Sequence, residues 1–362
     1  MQSWLTFLKD HGALEVDPQT RAISGFAGAI AVTPPSTDFV VPLTAFGLIA
    51  ANGAEAATFL HNQLTNDVEN LGTDEVRLAG YCTPKGRLLA TFLLWKTGDT
   101  IYLQLPLELQ ATIQKRLQMF IMRAKATLTD ADQQTIQLGL AGSAASAALS
   151  TWFPVLPAAP HAKVDSAAGS LMRLADSRRS SDAAPGVEDV PLYLWTTDGA
   201  TAQAAWPTLI ARLQPASAAA WQLAQVRAGI ASITAATQEK FVPQMVNFEA
   251  VGGVNFQKGC YPGQEIVARS QYLGKLKRRM MPATVAAEAI APGTEVFAET
   301  DPDQACGMVV NAAPVPGGSD CLVEIKLAAL ESPVHLGTID GPLLQFHALP
   351  YVLGDADRPD LR

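Results

Sequence analysis

Apolar residues along this chain alternate between the spacing of a helix face and that of a strand, and the changes between the two mark its elements. Residues 4–9 read as a short amphipathic helix, and residues 24–37, rich in Gly, Pro, Ser and Thr, as a loop or an irregular edge strand. The run from Phe46 to Ala51 has the pattern of a buried strand that stops at the turn dipeptide Asn52-Gly53. Residues 54–64 then place Ala57, Leu60 and Leu64 on one helical face. Three strand-like runs follow, Val76 to Cys82, Leu88 to Trp95 and Thr100 to Leu105, separated by Pro84-Lys85-Gly86 and Gly98-Asp99. Such punctuation predicts a β-meander, closed by a helix over 107–121.

Further on, strand patterns at 135–140, 171–175 and 192–196 alternate with helical patterns at 143–152, 201–213 and 216–228. Strands and helices mixed in this order predict an α+β protein rather than a doubly wound parallel sheet. From about residue 282 short β-rich runs alternate with Pro-Gly, Gly-Gly and Asp-Gly turns as far as Tyr351, which predicts a small β-barrel or sandwich. Residues 354–362 read as a frayed tail.

Composition narrows the functional classes. A chain of 362 residues with 48% hydrophobic and 17% charged residues can build real cores and is expected to hold two or three domains. A net charge of −8 argues against a general nucleic-acid binder, so direct nucleic-acid binding is not expected. Cys82, Cys260, Cys306 and Cys321 are far apart and form neither a disulfide framework nor a zinc pattern, so no metal site is expected. The N-terminus lacks the pattern of a signal peptide, and the longest uncharged stretch, 133–162, is too small-residue-rich and too Pro-broken for a membrane span. A cytoplasmic protein with free thiols and no membrane partner is the expectation.

The segment Lys258-Gly-Cys-Tyr-Pro-Gly-Gln-Glu-Ile-Val-Ala-Arg269 stands out chemically. Gly259 and Gly263 flank Cys260, and Lys258 and Arg269 bring positive charge that favours a thiolate. Gln264 and Glu265 add an amide and a carboxylate at the expected start of a helix, with Glu265 opposing the thiolate. The same features suit a buried cysteine acting as a small hydrophobe, and no histidine stands at a spacing that defines a Cys–His pair. From Lys258 to Arg279 the chain carries six cationic side chains against Glu265 alone, a patch able to hold an anionic ligand tail, an acidic protein face or an RNA phosphate, or to be a solvated connector.

This segment resembles the signature of the YgfZ family of folate-binding proteins, relatives of the aminomethyltransferase of the glycine cleavage system. Flanking runs agree: Phe241-x-Pro-Gln-Met-x-Asn-Phe-Glu, Gly252-Gly-Val-Asn-Phe, Gly274-Lys and Lys277-Arg-Arg, together with Phe59-Leu-x-x-Gln-Leu-Thr-Asn-Asp-Val68 and Tyr81-Cys-Thr-Pro-Lys-Gly-Arg87. The resemblance implies an aminomethyltransferase-like fold, a ring of subdomains around a central folate channel. It also implies a division into 1–280, with a subdomain inserted at about 130–215, and a C-terminal β-barrel over 281–362. Tetrahydrofolate is the implied cofactor and iron–sulfur enzymes the implied clients, with indirect effects on tRNA modification. Cys260 and Lys258 are the implied functional pair. Phe46 and Trp221 fall where the family places aromatics, either as faces for a pterin or as core, with Arg227, Gln264, Glu265 and Arg269 as further folate contacts. Gln63, Thr65, Asn66 and Asp67 either line the channel or cap a helix.

Two departures bear on chemistry. Leu89 and Ala90 stand where aminomethyltransferases carry paired aspartates, and Arg227 stands where an acid is expected, either beside an anionic ligand or in a structural ion pair. The first expectation is therefore a tetrahydrofolate-binding accessory protein for assembly or repair of iron–sulfur enzymes. The alternatives are a folate-dependent one-carbon transferase and a protein whose motif only ties two domains together.

Overall fold

Turn glycines and strand-forming runs divide the computed structural model, which describes residues 1–28, 37–178, 189–272 and 276–354, into three sheets. The first has five antiparallel strands in the order Val76–Cys82, Leu88–Thr97, Thr100–Pro106, Phe46–Asn52, Thr127–Asp130. Its first three strands are the expected meander. Helix Leu107–Gln118 packs on strand Phe46–Asn52, burying Leu109, Ile113 and Leu117 at helical spacing.

The second sheet runs Gln214–Pro215, Phe39–Pro42, Ile136–Ala141, Leu192–Thr197, Gly169–Arg173, Lys163–Ser166, antiparallel except for its first pair. Helices Gln2–Asp10, Ser143–Leu149 and Gly199–Ile210 accompany it, and Trp4, Phe153, Trp195 and Trp206 fill the shared core. In the third sheet the order is Val334–Leu336, Glu295–Ala298, Asp301–Val315, Gly318–Lys326, Arg278–Val285, Leu344–Phe346. Its two edges meet through a bridge between His335 and Leu343, so the sheet is a nearly closed barrel.

Helix Ala218–Arg227 sits where the three sheets meet. It touches barrel strands Asp301–Val315 and Gly318–Lys326 and strand Phe39–Pro42 of the second sheet. Its buried face belongs to the largest core, which joins the first sheet to Met280, Val310 and Leu322 of the barrel. No described helix is long and apolar enough to cross a membrane.

The helix expected over 54–64 is shorter, Ala56–His61. The chain leaves the helix there because Thr65 donates its N–H to the Gly80 carbonyl at 2.9 Å, joining the strand rather than the helix ladder. Much of the loop expected at 24–37, the Gly274-Lys275 pair and the end of the expected tail lie outside the described residues.

Candidate functional site

The residues singled out in the sequence fall into two places. The first is a cavity of about 310 Å³ between the first sheet, helix Ala218–Arg227 and the barrel. Phe46 and Trp221 both line it, together with Leu93, Gln104, Gln225 and Asn311. A smaller cavity of about 60 Å³ shares Phe46, Trp221 and Gln225 and adds His161, whose imidazole is driven toward the neutral form by burial.

Trp221 is placed there by a glycine. A Cβ on Gly139 would stand 2.5 Å from the indole ring, so only a residue without a side chain lets strand Ile136–Ala141 carry that ring on its face. Gln104 is fixed by an amide chain: its Nε2 donates to Gln137 Oε1 at 2.8 Å, and Gln137 Nε2 donates to the Phe46 carbonyl at 3.2 Å. That leaves Gln104 Oε1 as an acceptor on the cavity wall. Thr91 accepts from the Ile233 N–H at 3.1 Å, and Asn311 exchanges hydrogen bonds with the backbone of Ser232 at 2.9 Å in both directions. No described residue lining the larger cavity is charged. An uncharged, aromatic-walled space with amide donors and acceptors suits a flat heterocycle such as a pterin.

The second place is the segment 258–269, which does not line that cavity. It is held by residues from the far end of the sequence. Thr65 Oγ1 donates to the Gly253 carbonyl at 2.6 Å and accepts from the Gly80 N–H at 2.7 Å. Asn66 Nδ2 donates to the carbonyls of Leu78 and Gly252, each at 2.7 Å. Thr65 and Asn66 thus clamp the Gly252-Gly253 turn. Gly263, at φ +84°, lies so close to the Thr83–Gly86 turn that a Cβ would stand 2.4 Å from the Thr83 carbonyl oxygen. This contact docks the head of helix Gln264–Tyr272 on the meander.

Lys258 is half-buried. Its ammonium donates to the carbonyls of His61 and Leu64, at 2.8 Å for Leu64, and lies 4.9 Å from the centre of the Tyr261 ring. Burial lowers its pKa to about 8, against the opposing charges of Asp67, Glu69 and Cys260. Lys258 therefore closes the end of helix Ala56–His61 while standing close enough to Cys260 to feel its charge. Cys260 is exposed, whereas Cys82, Cys306 and Cys321 are buried. Burial pushes the Cys82 and Cys321 thiols up to about 12 and also raises Cys306.

The remaining predicted contacts are dispersed. Glu265 and Arg269 are exposed on helix Gln264–Tyr272, and Gln264 is half-buried at its start. Arg227 pairs with Asp320 at 2.7 Å, joining the central helix to the barrel. The basic stretch is partly internal. Arg278 pairs with Glu324 and the fully buried Arg279 with Glu249, while Lys275 lies outside the described residues. Leu89 and Ala90 are buried in strand Leu88–Thr97.

Sequence reasoning missed His61. This residue is buried, its side chain 10% exposed, and its Nδ1 lies 3.0 Å from Asp67 Oδ1 and 3.9 Å from Glu69 Oε2. Its other nitrogen, Nε2, is 3.5 Å from the position a Cβ on Gly259 would take. A helix-end histidine six residues before an aspartate carries no signal until the fold brings the segment around residue 259 beside it. Gln104 and Gln225 were also missed, because an amide in a strand or helix pattern reads as surface.

No family model matches the chain. Three curated proteins similar to it all bear the name tRNA-modifying protein YgfZ. The one from Edwardsiella ictaluri is 31% identical over 268 residues, covering 72% of this chain and 77% of that protein. The one from Photorhabdus laumondii is 34% identical over 256 residues, covering 68% and 72%. The one from Sodalis glossinidius is 28% identical over 321 residues, covering 87% and 94%. Among solved structures, the glycine cleavage system aminomethyltransferase T from Bartonella henselae superposes with a TM-score of 0.73 at 15% identity, covering 96% of this chain and 97% of that one. The fold is thus aminomethyltransferase-like.

Proposed function

The chain belongs to the YgfZ family, and from that premise we propose that it binds a reduced folate in the cavity walled by Phe46 and Trp221 and serves the assembly or repair of iron–sulfur enzymes. In this reading tRNA modification, which the relatives' name carries, depends on such a client. The protein works in the cytoplasm, and Cys260 is its reactive group.

The carrying observation is the neutral lining of the cavity. Phe46 and Trp221 offer faces for a pterin, Gln104 Oε1 accepts, and the Gln222 and Gln225 amides border the same space. Among the described residues lining it there is no carboxylate to move a proton during one-carbon transfer, and the positions of the paired aspartates are held by buried Leu89 and Ala90. Both features support binding without transfer.

Tetrahydrofolate added to the protein should quench tryptophan fluorescence through Trp221. Phe46→Ala should weaken binding by about 1 kcal/mol, several-fold in Kd, because one aromatic face is lost. An unaltered Kd would remove Phe46 from the site. Supplied with an aminomethylated lipoyl carrier and tetrahydrofolate, the protein should form no methylene-tetrahydrofolate; steady turnover would favour the one-carbon transferase instead. In cells lacking their own family member, the wild-type chain should restore iron–sulfur enzyme activity and Cys260→Ala should not.

A further inference from the structure

We propose that Arg21 and Asp132 are positioning residues for the cavity of Phe46 and Trp221: their ion pair holds the tip of a hairpin, residues 17–22, as one wall of that cavity, and this is the wall that yields when ligand enters or leaves. The nature of the ligand rests on the folate reading, whereas the attachment of the hairpin is measurable without any ligand.

The hairpin follows from its turn chemistry. Backbone bridges pair Ala13 with Phe26 and Val16 with Ile23. At the turn the Asp17 carboxylate accepts from the backbone N–H of Gln19 at 2.9 Å and of Thr20 at 2.6 Å, and from the Thr20 hydroxyl at 2.9 Å. The chain then reverses at Arg21, whose φ of +57° lies in the left-handed region. Ile23 and Phe26 are buried in the core of the second sheet, so the base of the hairpin is fixed. Among the described residues its two arms join none of the three sheets, and its tip is therefore held by side chains rather than by a strand ladder.

That tip borders the cavity, because Thr20 and Ala22 both line it. Arg21 stands between them. Its Nη1 donates to Asp132 Oδ2 at 2.8 Å, and its carbonyl accepts from Thr44 Oγ1 at 2.5 Å. Asp132 is a rigid anchor. It is buried in the connection between strands Thr127–Asp130 and Ile136–Ala141, and its N–H donates to Asp130 Oδ1 at 2.9 Å. Gln110 Nε2 holds the same oxygen at 2.9 Å, and the preceding Ala131 N–H donates to the Leu48 carbonyl at 2.9 Å. The tip is thus tied to the first sheet at a point 111 residues away in sequence.

Electrostatics favour the docked position. Burial, with Asp130 beside it, pushes the Asp132 carboxyl up to about 6, against the charges of Arg21 and the Met1 ammonium. The carboxylate is therefore ionised at neutral pH, and its Oδ1 has no hydrogen-bond partner among the described residues. Withdrawing Arg21 would leave this buried charge without its hydrogen-bonded cation, so the tip stays docked at rest. The other walls are strands of the first sheet, helix Ala218–Arg227 and barrel strand Asp301–Val315, all carried by the largest core. In the tip residues 17–19 are exposed and residues 20–22 half-buried, so of these walls it opens at the lowest cost.

Hydrogen exchange of the full-length chain without ligand, read by mass spectrometry on the peptide spanning 15–23, tests the attachment. Arg21→Gln and Asp132→Asn should each raise exchange there by on the order of tenfold, while helix Leu107–Gln118 keeps its wild-type rate. Arg21→Lys, which keeps the charge, should restore most of the protection. The double variant Arg21→Gln/Asp132→Asn carries no unpaired buried charge, so it folds even where a single variant folds poorly. It should exchange no more slowly than Arg21→Gln, because the pair acts as a unit. In stopped-flow tryptophan fluorescence, tetrahydrofolate should dissociate from Arg21→Gln on the order of tenfold faster than from wild type, and from Arg21→Lys at nearly the wild-type rate. Wild-type exchange of the hairpin in Arg21→Gln and in the double variant would overturn the proposal. So would a loosened hairpin with unaltered tetrahydrofolate dissociation. A wild type that binds no tetrahydrofolate, with a hairpin that loosens as described, supports the attachment and contradicts the folate reading alone.

Discussion

The cavity between Phe46 and Trp221 and the turn around Cys260 are built from opposite materials. The cavity is lined by strands and a helix, carries no charge among its described residues and takes its polarity from amides. The Cys260 turn is exposed and surrounded by Lys258, Asp67, Glu69 and His61. A neutral space with amide groups favours selective holding of a flat molecule, because hydrogen bonds to the ligand are directional and offset the cost of burying the amides. A charged, open turn favours proton transfer and reactivity. Under the proposed function, holding and reactivity fall to different places in the molecule, and each can be altered without the other.

The largest expected effect is on the cavity side. Trp221→Ala removes a side chain at the junction of the three sheets and should cost about 3–5 kcal/mol in urea unfolding. Cys260 alkylation by iodoacetamide, measured below the transition, should be unchanged. On the motif side Asn66→Ala should cost about 1–3 kcal/mol, because the buried Leu78 carbonyl and the Gly252 carbonyl of the clamped turn both lose their donor. There the accessibility of Cys260 should change and tetrahydrofolate affinity should not. Gly139→Ala should cost about 1–3 kcal/mol by pressing on the indole, and should weaken tetrahydrofolate binding with Cys260 untouched.

The smallest effect is a pH slope. Lys258 titrates at about 8 in the folded protein, below the 10.5 of an ordinary lysine, so the folded state sheds its proton first. Between those values the unfolded chain binds more protons, and stability rises with pH. Wild-type stability should therefore increase from pH 8 to 10 relative to Lys258→Met, and parallel curves would show that the ammonium is not desolvated as the structure implies.

Much of the first sheet was legible because its strands are long, periodic and closed by Gly86 and Gly98, whose φ angles of +70° and +58° suit turns. The barrel was legible from the Pro-Gly, Gly-Gly and Asp-Gly turns that separate its β-rich runs. Phe39–Pro42 and Thr127–Asp130 were not, since four-residue strands leave too short a pattern and owe their form to the neighbours they pair with. The motif at 258–269 was visible as unusual composition, and its helix begins at Gln264 as expected. Its attachment was not visible, because Thr65 and Gly253 are 188 residues apart in sequence. His61, 197 residues before Lys258, was concealed in the same way. Charge counting along 258–279 left a ligand-holding patch and a solvated connector both open, and ion pairing with Glu249 and Glu324 makes Arg279 and Arg278 structural residues instead.

The separation of the two surfaces is tested most directly by calorimetric titration of tetrahydrofolate into three proteins: wild type, Gln225→Leu and Cys260→Ser. One site is predicted in the wild type. Gln225→Leu should weaken it by on the order of tenfold, since a buried ring donor or acceptor would lose its partner. Cys260→Ser should bind as the wild type does. Weakened binding in Cys260→Ser with none in Gln225→Leu would place the folate at the thiol turn and contradict the account.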